Sequence, residues 1–227
     1  IFGIMISKSK LWHIRFLRPW NRWRRRRAIR NRCVSVISNN CWGGFMMKEC
    51  NLPFNTPFVG LFLYDTDYIR VLEHPEVLRT PLRFIDRKDS HHVITDPKDY
   101  PIGVIGDDIE IHFLHYRDRD EARTKWERRV GRIDWNNSIV KFGDEDGDRP
   151  DLLARFDALP LPCKVYFSGR QHPGSASAVF LPDFATEGHI DRGAYKVSNE
   201  QWDFVSHANA LLAPGLTHAK PWRGTNP

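Results

Sequence analysis

Beyond Arg32, short apolar runs alternate with stretches in which apolar residues recur every three or four positions. Cys33–Ile37, Phe58–Tyr64, Leu82–Ile85, Ile102–Ile105, Ile109–Leu114, Ile139–Phe142, Lys164–Phe167 and Ala178–Leu181 have the length and the β-branched or aromatic content of strands. Helices are expected over Trp42–Cys50, Thr66–Glu73, Arg119–Arg132, Pro150–Ala158 and Asn199–Leu212. The clearest of these begins after a capping Asp118 or Asp120 and repeats Ala122, Trp126 and Val130 along one face, with charge on the other. Strand and helix alternate. That order predicts an α/β fold, a mostly parallel sheet flanked by helices in three layers.

Charge divides the chain unevenly. The net formal charge is +6, yet eleven of the 34 Lys and Arg fall within residues 1–32, where there is no Asp or Glu. The remaining 23 face 28 acidic residues, so the body is acidic. Residues 1–32 therefore read as a basic leader, 33–212 as the α/β domain and 213–227 as an irregular tail. Within 7–32, Trp12, Phe16, Trp20 and Trp23 lie among arginines, a composition suited to the anionic inner face of a membrane. A solvated leader is the plainer reading. A nucleic-acid role is not expected, because phosphate contacts need a positive surface that the body lacks. No run approaches the roughly 20 apolar residues that cross a bilayer, and the expected location is cytoplasmic, peripheral to the membrane at most.

The most informative segment is Ile37-Ser38-Asn39-Asn40-Cys41-Trp42-Gly43-Gly44. A strand that ends in a small polar turn and restarts as a helix aims several backbone N–H groups at one point, which attracts anions. Here that turn also holds a thiol, so it reads either as a phosphate cradle or as a nucleophile seat. His112 and His115, in Ile109-Glu110-Ile111-His112-Phe113-Leu114-His115, are the candidate bases, although strand geometry sends them to opposite sides. Asp107 and Asp108 follow Gly106 and are candidates for substrate binding or for a metal accompanying a sugar nucleotide. His91 and His92 are adjacent, which on an extended segment makes them diverge. The four cysteines, Cys33, Cys41, Cys50 and Cys163, lack zinc-ligand spacing, and no resident metal is expected.

The segments ISNNCWGG, LPFNTPFVGLF, YPIGVIGDDIEIHFLHY, EARTKWERRVGRI and WNNSIVKFGDEDG together resemble a bacterial domain-of-unknown-function family associated with exopolysaccharide and capsule biosynthesis. The resemblance spans roughly Arg32 to Phe180. It implies an intracellular α/β protein among glycan-assembly enzymes, and directs attention to Ser38, Asn39, Asn40, Cys41, Gly43, Gly44, His112, His115, Trp126, Arg129 and Asn136. The turn is also similar to capsule acyltransferases with an Asn-Cys pair between strand and helix. The expected function is transfer to a sugar or glycan intermediate. Acyl transfer would use Cys41 as nucleophile or donor anchor, His112 or His115 as base, and N–H groups of Asn40 to Gly43 as oxyanion donors. Glycosyl or glycosyl-phosphate transfer would place a nucleotide diphosphate at the turn. The corresponding partners are acyl-CoA or a nucleotide sugar, with no further cofactor identified. A non-catalytic scaffold of a polysaccharide assembly complex is the alternative outside enzymes.

Overall fold

The computed structural model describes residues 19–191 and 193–212. In chain order these form α1 (residues 19–28), β1 (Ser35–Ser38), α2 (Trp42–Cys50), α3 (Asp65–Glu73), β2 (Arg83–Ile85), β3 (Ile102–Ile105) and β4 (Ile109–His112). There follow α4 (Arg119–Val130), β5 (Ser138–Gly143), α5 (Pro150–Ala158), β6 (Lys164–Ser168), β7 (Ala178–Phe180), α6 (Ala194–Gln201) and α7 (Phe204–Ala210). A parallel sheet in the order β1-β5-β6-β7 forms the middle layer. A separate antiparallel meander, β2-β3-β4, lies within the long crossover from β1 to β5. The α/β expectation holds, with this second sheet added.

Alternation along the strands sorts the core into two faces. Ile37, Val140, Phe142 and Tyr166 pack with Tyr68 and Leu72 of α3, Trp126 of α4, Phe156 of α5 and Phe113 after β4. Val36, Ile139, Val165 and Phe167 pack on the other side with Trp42 and Met46 of α2, Val197 of α6 and Phe204 of α7. Ile29, just after α1, joins that second core, and Asn209 of α7 accepts the backbone N–H groups of Arg30 and Asn31. The end of the basic stretch is thereby woven into the body.

Two expected elements differ. Phe58–Tyr64 makes one isolated bridge, Phe62 with His112, in place of a strand. Pro57 and the left-handed Gly60 (φ +73°) break its extension. The segment instead covers the open edge of β1. Asn55 Nδ2 donates to the carbonyls of Cys33 and Val34, Thr56 Oγ1 to that of Val36, and Leu63 N–H to that of Asn39. The predicted helix Asn199–Leu212 is two helices, because Asp203 accepts from Val205 N–H and starts α7 afresh. Trp202 at that break stands in the core 6.2 Å from the Trp42 ring. The predicted tail and residues 7–18 of the arm lie outside the described residues.

Candidate functional site

The turn between β1 and α2 forms where the sequence placed it, but its polar groups serve one another. Ser38 Oγ accepts from Gly43 N–H at 3.0 Å and donates to the Asn40 carbonyl at 2.6 Å. Asn40 Oδ1 accepts from Trp42 N–H at 3.0 Å. Two amides expected to receive an oxyanion or phosphate are therefore occupied by side chains. Gly43 is required for close approach, since a Cβ there would stand 2.8 Å from Ser38 Oγ, while Gly44 lies against Val59. Cys41 is a half-buried thiol at the helix start.

Unsatisfied groups gather beside this turn, where the carboxyl ends of β1 and β5 open. Lys141, wholly buried in β5, forms an ion pair with Glu145 and reaches Asn39 Oδ1 at 3.4 Å. Glu145 Oε1 also accepts from Asn40 Nδ2. Asn39 Nδ2 lies 3.5 Å from Asp65 Oδ1 at the start of α3. The second oxygens, Asp65 Oδ2 and Glu145 Oε2, are buried without hydrogen-bond partners. Burial first, and then the charges of Asp146 and Glu145, push the Asp65 carboxyl up to about 8. Asp146, exposed at the rim, is raised as well, by desolvation of its carboxyl and then by the charge of Glu145. One buried ammonium thus stands among three carboxyl groups.

A histidine group adjoins it through Tyr64, whose ring stacks on His92 at 3.9 Å. His92 Nε2 lies 2.9 Å from Asp67 Oδ2, and that oxygen also accepts Glu110 N–H at 3.0 Å. His91 Nδ1 is 2.8 Å from Glu110 Oε1, with its Nε2 turned toward Asp67 Oδ2 at 3.8 Å. Glu110 further accepts from Ser90 Oγ at 2.6 Å and His91 N–H at 2.9 Å. Burial opposes ionisation of Glu110, but those hydrogen bonds and the neighbouring imidazoles outweigh it and hold its carboxyl below the usual range. His112 is fully enclosed by the rings of Phe62, Tyr64, His92 and Tyr100. Burial pushes its pKa down to about 4 despite Glu110 nearby, so it is neutral.

A family described as "Domain of unknown function (DUF1919)" matches residues 14–209, almost the whole of this structure. The chain belongs to the DUF1919 family. An uncharacterised protein of Haemophilus influenzae is 34% identical over 165 residues, 72% of this chain and 75% of that protein. The DUF1919 match takes in the turn, the carboxyl-rich opening and the histidine group together.

Within this DUF1919 chain the expected site residues divide. Ser38, Asn39, Asn40, Cys41, Gly43 and Gly44 stay together at the turn, with Asn39 and Asn40 facing Lys141 and Glu145. His112 is fully buried beside His92, with the two ring centroids 6.1 Å apart. His115 is exposed beside Gly60, its N–H bound to that carbonyl. Asp107 and Asp108 are exposed in the β3–β4 hairpin, where Asp108 pairs with Arg70. Arg129 lies over the Phe54 ring and donates to Tyr116 at 3.4 Å. Asn136 precedes β5, at the opposite end of the sheet from the opening. Sequence reading missed Asp65, Asp67 and Lys141. The available signal was a lysine inside the apolar run Ile139–Phe142, which has to be paired if buried.

Proposed function

We propose that this DUF1919 chain is a transferase acting on a sugar or glycan intermediate of surface polysaccharide assembly, with the reacting hydroxyl held between Asp65 and Glu145. The observation that carries this reading is the pair of buried carboxylate oxygens, Asp65 Oδ2 and Glu145 Oε2, left without hydrogen-bond partners side by side with the buried Lys141. Both lie where the parallel strands end, the place at which open α/β sheets receive ligands. Asn39, Asn40, Asp65 and Glu145 offer planar donors and acceptors suited to a polyhydroxylated ligand.

The roles follow from the electrostatics. Asp65 carries its proton at neutral pH, so it serves as the acid that protonates a leaving group. Glu145, salt-bridged to Lys141, takes the proton of the attacking hydroxyl. The ammonium steadies the charge that remains. Acyl-CoA and nucleotide sugars are the donor classes to try.

Supplying both donors with glycan acceptors and reading products and protein by mass spectrometry tests the reading. Asp65→Asn should lower turnover by about 100-fold or more, the range of general acid–base contributions. A covalent adduct on Cys41, with turnover abolished in Cys41→Ser, would replace it with thiol chemistry.

Attachment to an anionic membrane surface through residues 7–32 belongs to the same proposal. Among the described residues no helix is long and apolar enough to cross a membrane. What supports surface attachment is the stacked pair Trp20 and Trp23, 57% and 49% exposed, with Arg27 over the Trp23 ring. Trp20→Ala/Trp23→Ala should weaken binding of the full chain to anionic vesicles several-fold without changing its melting temperature. Equal binding would reject the attachment.

A further inference from the structure

We propose that Asp67, His91 and His92 bind one divalent transition-metal ion of the zinc class, with Glu110 holding His91 from behind. This concerns ion binding alone and stands apart from the transferase reading.

One carboxylate oxygen and one nitrogen from each ring lie within 4.8 Å of one another. Asp67 Oδ2 is 2.9 Å from His92 Nε2 and 3.8 Å from His91 Nε2. Around an ion with bonds of about 2.0–2.2 Å, neighbouring ligand atoms stand about 3–3.5 Å apart. The two distances to Asp67 bracket that range, and the separation of the two rings, at most 4.8 Å, is brought into it by a side-chain adjustment of about an ångström. Two imidazoles and one carboxylate form the donor set of catalytic zinc and related first-row ions, with room left for water or a ligand.

The surroundings fix each donor as an ion site requires. Glu110 Oε1 lies 2.8 Å from His91 Nδ1, placed to accept its N–H, and this holds the ring with Nε2 turned toward Asp67 as the ligating atom. His91 Nε2 and Asp67 Oδ2 face each other across 3.8 Å, a gap that a bridging cation fills. A carboxylate behind a ligating histidine is the recurrent outer support of metal centres. Ser90 Oγ and His91 N–H in turn hold Glu110. Glu110 N–H fixes Asp67 Oδ2, and the stacked Tyr64 sets the plane of His92. Asp67 is 2% exposed in its side chain, whereas His91 is 47% exposed, so the ion has a buried anionic seat and an open way in.

The test uses the purified full chain after chelator treatment, titrated with Zn2+ and with Co2+ by calorimetry and visible absorption. The expected result is one equivalent bound, with affinity reduced more than 100-fold in His91→Ala and roughly 10- to 100-fold in Glu110→Gln. Exposure of His91 makes its substitution compatible with folding, and circular dichroism checks this. No binding, equal affinity of wild type and His91→Ala, or a thiolate-to-cobalt absorption band marking cysteine ligation would each overturn the proposal.

Discussion

Two turns leave adjacent parallel strands at the same end of the sheet, one after Ser38 and one after Gly143, and they differ in what they leave unpaired. The first draws its donors inward, since Ser38 and Asn40 satisfy the amides of Trp42 and Gly43. The second carries Glu145 and Asp146 toward Asp65, where carboxylate oxygens remain without partners. A helix start rich in N–H groups is thus a capped structural joint. The opening beside it holds the unspent hydrogen-bonding capacity and the perturbed acids that mark functional sites. Substitutions on each side of this contrast should separate structure from chemistry.

The largest loss of stability is expected at Lys141→Met. It strands Glu145 without its buried ammonium, and breaking one side of a buried pair costs about 3–5 kcal/mol. Urea unfolding measures this, and a change below about 1 kcal/mol would mean the pair is already well solvated. At the capped turn, Ser38→Ala removes one acceptor from α2 and should cost about 1 kcal/mol, as helix caps do, while leaving turnover intact. Loss of turnover there would return function to the turn. Cys41→Ser should be the mildest, shifting stability by under about 1 kcal/mol and leaving turnover within a few-fold of wild type.

Much of the fold was legible because local signals and packing agree. Trp42–Cys50, Pro150–Ala158 and Ile102–Ile105 form with the expected ends, since capping or turn chemistry coincides with their apolar faces. Phe58–Tyr64 misled because its apolar content reflects burial, whereas Gly60 and Pro57 decide its backbone. The site was less legible. Asp65 and Asp67 look like ordinary acids in the first turn of a helix, and only tertiary packing buries them. His91 and His92 diverge on an extended segment, yet a bend lets both approach Asp67, with Glu110 from β4 drawing His91 into place. Such convergence depends on a contact between residues some 20 positions apart, which periodicity does not encode.

Asp65→Asn examines the contrast most directly, with melting followed from pH 4 to 9 alongside turnover on the donor panel. The folded chain keeps the Asp65 proton to about pH 8, whereas the unfolded chain releases it near 3.8. The wild type therefore loses stability as pH rises through that window, at up to about 1.4 kcal/mol per pH unit. A variant that cannot ionise escapes this loss. The account predicts that Asp65→Asn gains stability over wild type progressively between pH 4 and 8 while losing turnover about 100-fold or more. A variant with unchanged turnover and a stability difference independent of pH would contradict it.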